Sequence, residues 1–162
     1  GGNSFLKYDS GNILINNANA NVDTKIMANG GSVALHVDAG ENRVGVGTTG
    51  PNAKLHVDGS FALKSREVTS FPYDVAADDY VILVAGTGTP RRINLPAKSG
   101  QEGRILVIKD ATGNAQTNNI EINPDGSENI DGSADKLLNT NRVAATIICA
   151  TDQWHIIGKY SG

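Results

Sequence analysis

A four-residue repeat, Leu-His-Val-Asp, places the strongest constraint on how this chain can fold. It occurs at residues 35–38 and again at 55–58, with Arg-Val-Gly-Val at 43–46 between the two copies. All three stretches alternate apolar and polar side chains, which is the pattern of a strand with one buried face. A strand that offers only two or three apolar side chains cannot build a core alone. The repeat therefore predicts a segment that buries its apolar face against identical copies, in an obligate oligomer.

The rest of the composition also favours strands. Valine and isoleucine together outnumber leucine and methionine, and side chains branched at Cβ fit a pleated sheet better than a helix. Glycine and asparagine are abundant, which indicates frequent tight turns. Only residues 50–55 and 133–141 have a composition suited to a helical turn. Apolar runs bounded by turn residues predict six further strands, at residues 80–86, 91–96, 103–110, 118–123, 143–150 and 154–160.

This pattern divides the chain into three regions of an all-β protein. Residues 1–64 are predicted to form an intertwined oligomeric stalk of short strands. Residues 65–74 are polar and contain a proline, which predicts a linker. Residues 75–162 are predicted to form a head domain, either a β-sandwich or a small barrel. The last two strands are separated by only Thr-Asp-Gln, so we expect them to pair as a hairpin.

Charge and hydropathy argue against two kinds of partner. The net charge is −3 and neither half of the chain has a basic stripe, so no binding to nucleic acid is expected. No run approaches the roughly 18 apolar residues of a membrane span, so no membrane insertion is expected. The single cysteine, Cys149, lies in the run Ala-Ala-Thr-Ile-Ile-Cys-Ala. We predict that it is a buried structural thiol.

Residues 45–50 contain a glycine spacing, G-x-G-x-x-G, that also occurs in dinucleotide-binding loops. Gly45, Gly47 and Gly50 supply the three glycines. Pyrophosphate binding at such a loop requires a long helix directly after it, because the helix N-terminus supplies the N–H donors. Here the chain continues through Pro51 into another alternating stretch. The glycines are therefore predicted to serve tight turns and close backbone approach, and no cofactor is expected.

Candidate metal ligands and catalytic residues are few. His36 and His56 occupy equivalent positions in the two repeats, and Asp125 and Asp131 each begin an Asp-Gly-Ser turn. A metal centre needs three or four converging ligands. Neither pair supplies them within one chain, although a symmetry axis would multiply a single histidine. No nucleophile-elbow, zinc-protease or P-loop motif occurs. We therefore predict neither a metal nor an enzymatic activity, and these four residues are the candidates if a metal binds.

Four side chains are candidates for a receptor-binding surface. The pair Arg91–Arg92 can make bidentate hydrogen bonds, and Tyr80 and Tyr160 can stack against a sugar ring or a protein surface. Trp154 has the same capacity, but its place in the predicted terminal hairpin favours a position in the core.

Residues 35–60, LHVDAGENRVGVGTTGPNAKLHVDGS, resemble a repeat that is frequent in bacteriophage tail-fibre proteins. In that repeat a strand ending in Val-Asp is followed by R-V-G-I-G-T, a turn with proline, and K-L-H-V-x-G. This chain has Val46 where isoleucine is commoner. The stretch from INLP at 93–96 to WHIIGKY at 154–160 resembles a C-terminal domain that often follows the repeat. Together the two resemblances cover roughly residues 33–162.

The resemblance implies a homotrimer in the distal part of a viral fibre, outside the cell and joined to upstream fibre segments. Such a tip attaches to a glycan or protein receptor on a bacterial surface by multivalent binding. We then expect five residues to provide turns and packing where three chains meet: Val44, Gly45, Val46, Gly47 and Pro51. Two alternatives stay open, namely a bacterial extracellular or cell-surface protein with a structural or carbohydrate-binding role, and a polysaccharide-degrading fibre tip.

Overall fold

A computed structural model describes residues 6–16 and 20–160 of the chain. The regular secondary structure of these residues consists of strands, which confirms the predicted all-β class. None of the described residues belongs to a helix that could cross a membrane. The chain forms two compact units, Gly1–Ala62 and Leu63–Gly162. This division falls next to residue 64, where the stalk is predicted to end.

The described residues of the first unit form six short strands: β1 (Leu6–Asp9), β2 (Asn12–Ile15), β3 (Thr24–Met27), β4 (Val33–Asp38), β5 (Arg43–Val46) and β6 (Leu55–Val57). β1 and β2 form an antiparallel pair. The other four strands form one sheet in chain order. Within this sheet β3, β4 and β5 are antiparallel neighbours, whereas β5 and β6 run parallel.

The repeated stretches are strands, as the alternation predicts. Leu35 of β4 pairs with Val46 of β5, and Val44 of β5 pairs with Leu55 of β6. Directly paired residues project from the same face of a sheet. The leucines and valines of the repeat therefore share one face, and Gly45 and its neighbours in register project from the other.

The turn after β5 accounts for its glycines. A Cβ atom on Gly45 would lie 2.5 Å from the carbonyl oxygen of Thr48, and Gly47 has a φ of +74°. The turn leads to the buried Pro51, whose carbonyl accepts a hydrogen bond of 3.0 Å from the Arg43 guanidinium. The sequence-based expectation places three chains at these glycines. The structure accounts for Gly45 within one chain, because the backbone that approaches it is its own.

In the second unit, residues 63–160 form nine strands: β7 (Ser65–Val68), β8 (Tyr73–Asp74), β9 (Val81–Val84), β10 (Arg91–Asn94), β11 (Ile105–Asp110), β12 (Ile120–Asn123), β13 (Lys136–Leu138), β14 (Ala144–Cys149) and β15 (Trp154–Tyr160). Each of the six strands predicted after residue 80 contains one of these strands. The predicted hairpin of the last two is confirmed, since β14 and β15 pair antiparallel across Thr151–Gln153.

The first six strands of the second unit alternate between two sheets. β7, β9 and β11 lie parallel and side by side in one sheet, and β8, β10 and β12 do the same in the other. Parallel neighbours require a crossover connection, and here a strand of the opposite sheet provides it. The chain therefore winds as a flattened coil of three turns, and each turn adds one strand to each sheet.

The last three strands complete the two sheets. β13 adds antiparallel to β12, and β14 followed by β15 adds antiparallel to β11. The result is a four-stranded sheet in the order β13-β12-β10-β8 and a five-stranded sheet in the order β15-β14-β11-β9-β7. Neither sheet closes on itself, so the small-barrel alternative is not what this unit forms.

The inner faces of the two sheets share one hydrophobic core. Burial alternates along β9, β11 and β14, as expected for strands with one face against a core. Trp154 is fully buried and Cys149 is 1% exposed, as the sequence predicts. The largest fully buried apolar side chains come from strands of both sheets and from Ile130 outside them: Trp154, Ile82, Ile93, Leu106, Ile108, Ile120, Ile122, Ile130, Leu138, Ile147 and Val84.

Two segments differ from the sequence-based expectation. Residues 65–74, predicted as a linker, contain β7 and β8. β7 is an edge strand in which Val68 is the only buried residue. Its other residues are polar, so its sequence resembles that of a loop. Residues 133–141, considered for a helical turn, contain β13. In β13, Leu138 is buried and Leu137 is exposed. An alternation of only two apolar residues is too short to be recognised as a strand in the sequence.

Candidate functional site

The outer face of the four-stranded sheet carries two rows of polar side chains. Asn94 at the end of β10 pairs in register with Asp74 of β8 on one side and with Asn123 of β12 on the other. The Nδ2 of Asn94 donates a hydrogen bond of 2.8 Å to Asp74 Oδ1, and the Nδ2 of Asn123 lies 3.5 Å from Asn94 Oδ1. In the next row, Arg92 Nε donates a hydrogen bond of 3.0 Å to Glu121 Oε2. We call the first row the Asp74–Asn94–Asn123 ladder.

A cavity of about 400 Å³ opens beside this ladder. Asp74, Asn94 and the exposed Asp125 supply its polar side chains. Its apolar lining consists of buried and half-buried residues that follow the strand ends: Val75, Leu95, Pro96 and Pro124. This size and this mixture of an apolar lining with a few polar groups are typical of small-molecule sites.

Backbone hydrogen bonds fix the strand ends under the cavity. The N–H of Val75 donates to the carbonyl of Asn94 over 3.0 Å, and the N–H of Leu95 donates to the carbonyl of Asn123 over 2.8 Å. The sheet therefore continues one residue past the ladder, and the side chains of the ladder are held on a rigid element.

Tyr73, the residue before Asp74, is tied to a buried carboxylate. Asp79 accepts hydrogen bonds of 2.5 Å from the Tyr73 hydroxyl, 2.5 Å from Arg66 Nε and 2.8 Å from the N–H of Ala76. Burial, together with the hydrogen bond to Asp79, raises the pKa of Tyr73 to about 12. The hydroxyl is therefore protonated at neutral pH. The network connects β7 to β8 directly before Asp74, which lines the cavity.

Arg91, a predicted receptor contact, is fully buried. Its guanidinium donates to Asp110 Oδ1 over 3.3 Å and to Thr112 Oγ1 over 3.2 Å, and it also donates to the carbonyl of Asn118. The alternation of β10 places Arg91 inward, on the same side as the buried Ile93. A receptor contact would require the side chain to leave this network, so we assign Arg91 to the interior of the unit.

The partner of Arg91 is a buried carboxylate with a strongly lowered pKa. Burial alone raises the pKa of Asp110, but this is outweighed by hydrogen bonds from Thr112, from the backbone N–H groups of Arg142 and Ala115, and from Arg91. Together they lower the pKa of Asp110 to about 2. Asp110 is therefore ionised at neutral pH, and the hydrogen bond it accepts from Arg91 joins β10 to β11 inside the core.

The other three predicted receptor contacts lie apart from one another. Arg92 projects from the outer face of the four-stranded sheet, with half of its side chain exposed. Tyr80 is half-buried directly before β9, and Tyr160 is exposed at the end of β15. The structure does not bring these residues into one surface, and Arg92 alone lies on the face that carries the ladder.

The outer face of the five-stranded sheet differs in character from that of the four-stranded sheet. Its two edge strands place polar residues on this face, such as Glu67 of β7 and His155 of β15. The central strands place half-buried side chains there, most of them apolar, namely Val81, Leu83, Ile105, Val107 and Ile148, together with Thr146 and Lys109. The outer face of the four-stranded sheet is thus largely polar, whereas the outer face of the five-stranded sheet has an apolar centre and polar edges.

The β3–β6 sheet of the first unit leaves its apolar face uncovered in the single chain. The rows in register on this face contain no charged side chain. Its members include large apolar residues that are exposed to solvent: Ile26 (55%), Met27 (53%), Val37 (40%), Val46 (38%) and Leu55 (59%).

The candidate histidine ligands lie on the opposite face of that sheet. His36 is buried and its Nε2 is 3.1 Å from Asp23 Oδ2; this hydrogen bond lowers the pKa of Asp23. His36 and His56 flank Gly45 in register. Among the residues that the structure describes, no three His, Cys, Asp or Glu side chains converge as metal ligands would.

The two candidate aspartates belong to different places. Asp125 lines the cavity. The carboxylate of Asp131 instead lies 3.4 Å from the Nδ1 of His155. They therefore do not form a common calcium site.

Sequence reasoning missed the Asp74–Asn94–Asn123 ladder, although a local signal exists. Each member ends a strand directly after an inward-facing residue, in the dipeptides Tyr-Asp, Ile-Asn and Ile-Asn. Two of the three strand ends are followed by proline within two residues, at Pro96 and Pro124. The repetition marks three equivalent strand ends, but only the parallel pairing places them side by side.

The two units define an all-β protein with a short-stranded segment before a two-sheet unit. No protein-family profile matches this chain, and no curated protein matches it. The assignment of a function therefore depends on the residues and on the geometry described above.

Proposed function

We propose that this chain is a structural and attachment segment of a bacteriophage tail fibre. It is a homotrimer in the distal, extracellular part of the virion, joined to upstream fibre segments, and it binds a glycan or protein receptor on a bacterial surface. The observation that carries this proposal is the uncovered apolar face of the β3–β6 sheet. The proposed function includes no enzymatic step, because the chain acts by assembly and binding.

The apolar face of the β3–β6 sheet supports assembly from identical chains. A contiguous apolar patch of this kind is rare on a monomeric soluble protein and marks an interaction surface. Because the face carries no charged side chain, copies can pack against it without burying an unpaired charge. Leu55, which is 59% exposed in the single chain, is the residue with most to gain from such packing.

The second unit supports the same conclusion independently. The outer face of its five-stranded sheet has an apolar centre and polar edges, which is the distribution found in protein interfaces. The polar outer face of the four-stranded sheet is then the one available to a receptor. The number three and the viral setting come from the resemblance of residues 35–60 to the tail-fibre repeat.

Multivalent binding explains how such a segment attaches a virion. Each chain offers one weak contact, and the second and third contacts of a trimer form at a high effective concentration. The avidity of three linked sites exceeds the single affinity by roughly 10²–10⁴ when the geometry allows simultaneous binding.

The experiment uses Leu55→Lys, because this substitution affects a monomer and an assembly differently. Leu55 is largely exposed in the single chain, so lysine there is tolerated by a monomer. In a trimer that buries this face, it places three charges in the interface. We expect the light-scattering mass to fall from three chains to one, and binding to host cells to weaken by about 100-fold or more through loss of avidity.

The matched control is Asn52→Lys, which adds the same charge at an exposed position outside the strands of the sheet. It is expected to keep the mass and the cell binding of the unchanged protein. A Leu55→Lys variant with the same mass and the same binding as the control would contradict the proposal.

A further inference from the structure

The cavity beside the Asp74–Asn94–Asn123 ladder offers hydrogen-bonding groups of both kinds. Asn94 uses one amide hydrogen on Asp74, and its second amide hydrogen stays available as a donor. Asp74 has a second carboxylate oxygen, Oδ2, and Asp125 makes no side-chain hydrogen bond within the described residues. A sugar hydroxyl both donates one hydrogen bond and accepts up to two. Carboxylate acceptors next to an amide donor match that requirement.

The lining and the size of the cavity suit a carbohydrate. Val75, Leu95 and Pro124 are buried around the cavity, and the half-buried Pro96 offers the apolar surface against which the C–H face of a sugar ring can pack. A volume of about 400 Å³ is within the range of small-ligand sites. The ladder sits on hydrogen-bonded strand ends, so little ordering is needed on binding.

The charge of the cavity restricts the kind of sugar. Asp74 and Asp125 are its charged lining residues, and both are acidic. An acidic sugar would bring its carboxylate against two like charges, which costs affinity. A neutral sugar has no such penalty.

We propose that the cavity beside Asp74 and Asn94 binds a neutral sugar residue of a bacterial surface glycan. Asp74 and Asp125 accept hydrogen bonds from its hydroxyl groups, and the amide of Asn94 donates one. This rests on the proposed function, since the glycan is the receptor of the fibre, and it selects a neutral glycan over an acidic one and over a protein.

The test titrates the full chain with two sets of probes and follows binding by isothermal calorimetry and saturation-transfer NMR. One set contains neutral oligosaccharides of glucose, galactose and N-acetylglucosamine. The other contains the same oligosaccharides ending in a uronic acid. We expect at least one neutral probe to bind and its acidic counterpart to bind more weakly. Failure of every neutral probe, or tighter binding of the acidic set, would overturn the proposal.

Single substitutions locate the binding. Asp74→Ala and Asn94→Ala are each expected to weaken binding of the neutral probe at least about tenfold, the effect of one lost hydrogen bond to a charged or well-placed group. Asp58→Ala and Asn139→Ala remove the same groups at exposed positions that do not line the cavity and are expected to bind as the unchanged protein does. Thermal unfolding of each variant identifies any that fail to fold, and Asp74→Asn, which keeps the side-chain shape, then replaces Asp74→Ala.

Three outcomes distinguish sugar binding in the cavity from the alternative explanations. Equal binding by the ladder variants and their controls would overturn it. Binding that a chelator abolishes and Ca²⁺ restores would also overturn it, because the side chains would then hold a cation and not the sugar. A trimer that attaches to host cells but binds no neutral sugar contradicts the cavity assignment alone, whereas a monomer that binds the sugar contradicts the proposed function alone.

Discussion

Gly45 lies where the backbone of the following turn leaves almost no room for a side chain. Its Cβ position lies 2.5 Å from the Thr48 carbonyl oxygen, a distance at which the backbone has to move. We expect Gly45→Ala to lower the stability of the first unit by roughly 1–3 kcal/mol, as overpacking does. The measurement is the midpoint of thermal unfolding.

Gly50→Ala is the matched control for this substitution. Gly50 lies in the same turn, has open space around its Cβ position and does not require a positive φ. Its unfolding midpoint should stay close to that of the unchanged protein. Equal midpoints for the two variants would contradict the account of the turn.

The Arg91–Asp110 pair makes the second unit sensitive to acid. The folded-state pKa of Asp110 is about 2, below its usual value of 3.8. A lowered carboxyl pKa contributes stability that is complete above about pH 4 and is lost as the pH falls toward 2. The size of this contribution is on the order of 2 kcal/mol. Urea unfolding between pH 5 and pH 2 measures it.

Asp110→Asn separates this carboxylate from the other acids. The variant leaves a buried guanidinium without its charge partner, so we expect a loss of about 3–5 kcal/mol near pH 7. The loss should shrink as the pH falls, because the unchanged protein loses the same interaction. A difference between the two proteins that does not vary with pH would rule out this role for Asp110.

At residue level, the alternation of side chains along a strand decides which of two neighbouring residues is buried. The sequence alone does not show which of them faces the core. The pair Arg91–Arg92 looks like a surface feature, yet neighbouring residues of a strand project to opposite faces. Only the position of Ile93 in the core shows that Arg91 points inward and Arg92 outward. The polar character of arginine concealed this, because a buried arginine is rare unless it is paired.

At the scale of elements, the most direct test concerns β7. Residues 65–68 resemble a loop in sequence, but in the structure they pair parallel with β9, and Arg66 donates to the buried Asp79. We expect trypsin to leave the Arg66–Glu67 bond intact in the native protein and to cut it after partial unfolding. Limited proteolysis with mass spectrometry follows this bond.

Cleavage after the exposed Lys25 provides an internal reference with which cleavage after Arg66 is compared. Lys25 lies in the first unit and is not part of the Arg66–Asp79 network. Rapid native cleavage after Arg66 would show that residues 65–74 behave as the linker the sequence predicts.

Strand identity was predictable to a greater extent than strand pairing. β9, β11 and β14 each bury every second residue, and this pattern is visible locally. The order in the sheets is not local: β10 lies between β8 and β12, with 29 residues separating Asn94 from Asn123. The ladder and its cavity exist only because of that pairing, so no spacing in the sequence marks them as one site.

At the scale of the whole molecule, the two units share one property. Each has a sheet whose outward face carries apolar side chains in the single chain: the face of the β3–β6 sheet, and the centre of the face of the five-stranded sheet. In the proposed trimer, burial of these faces between chains supplies the hydrophobic stabilisation that short strands cannot obtain alone. The proposal leaves the polar face with its cavity for binding, so that assembly and attachment use different surfaces.

The mass of the full chain in solution tests the central claim most directly. Light scattering after gel filtration, at protein concentrations a hundredfold apart, gives this mass without labels or substitutions. The account predicts three times the chain mass of 16.9 kDa at every concentration. A stable species of 16.9 kDa throughout the series would contradict it.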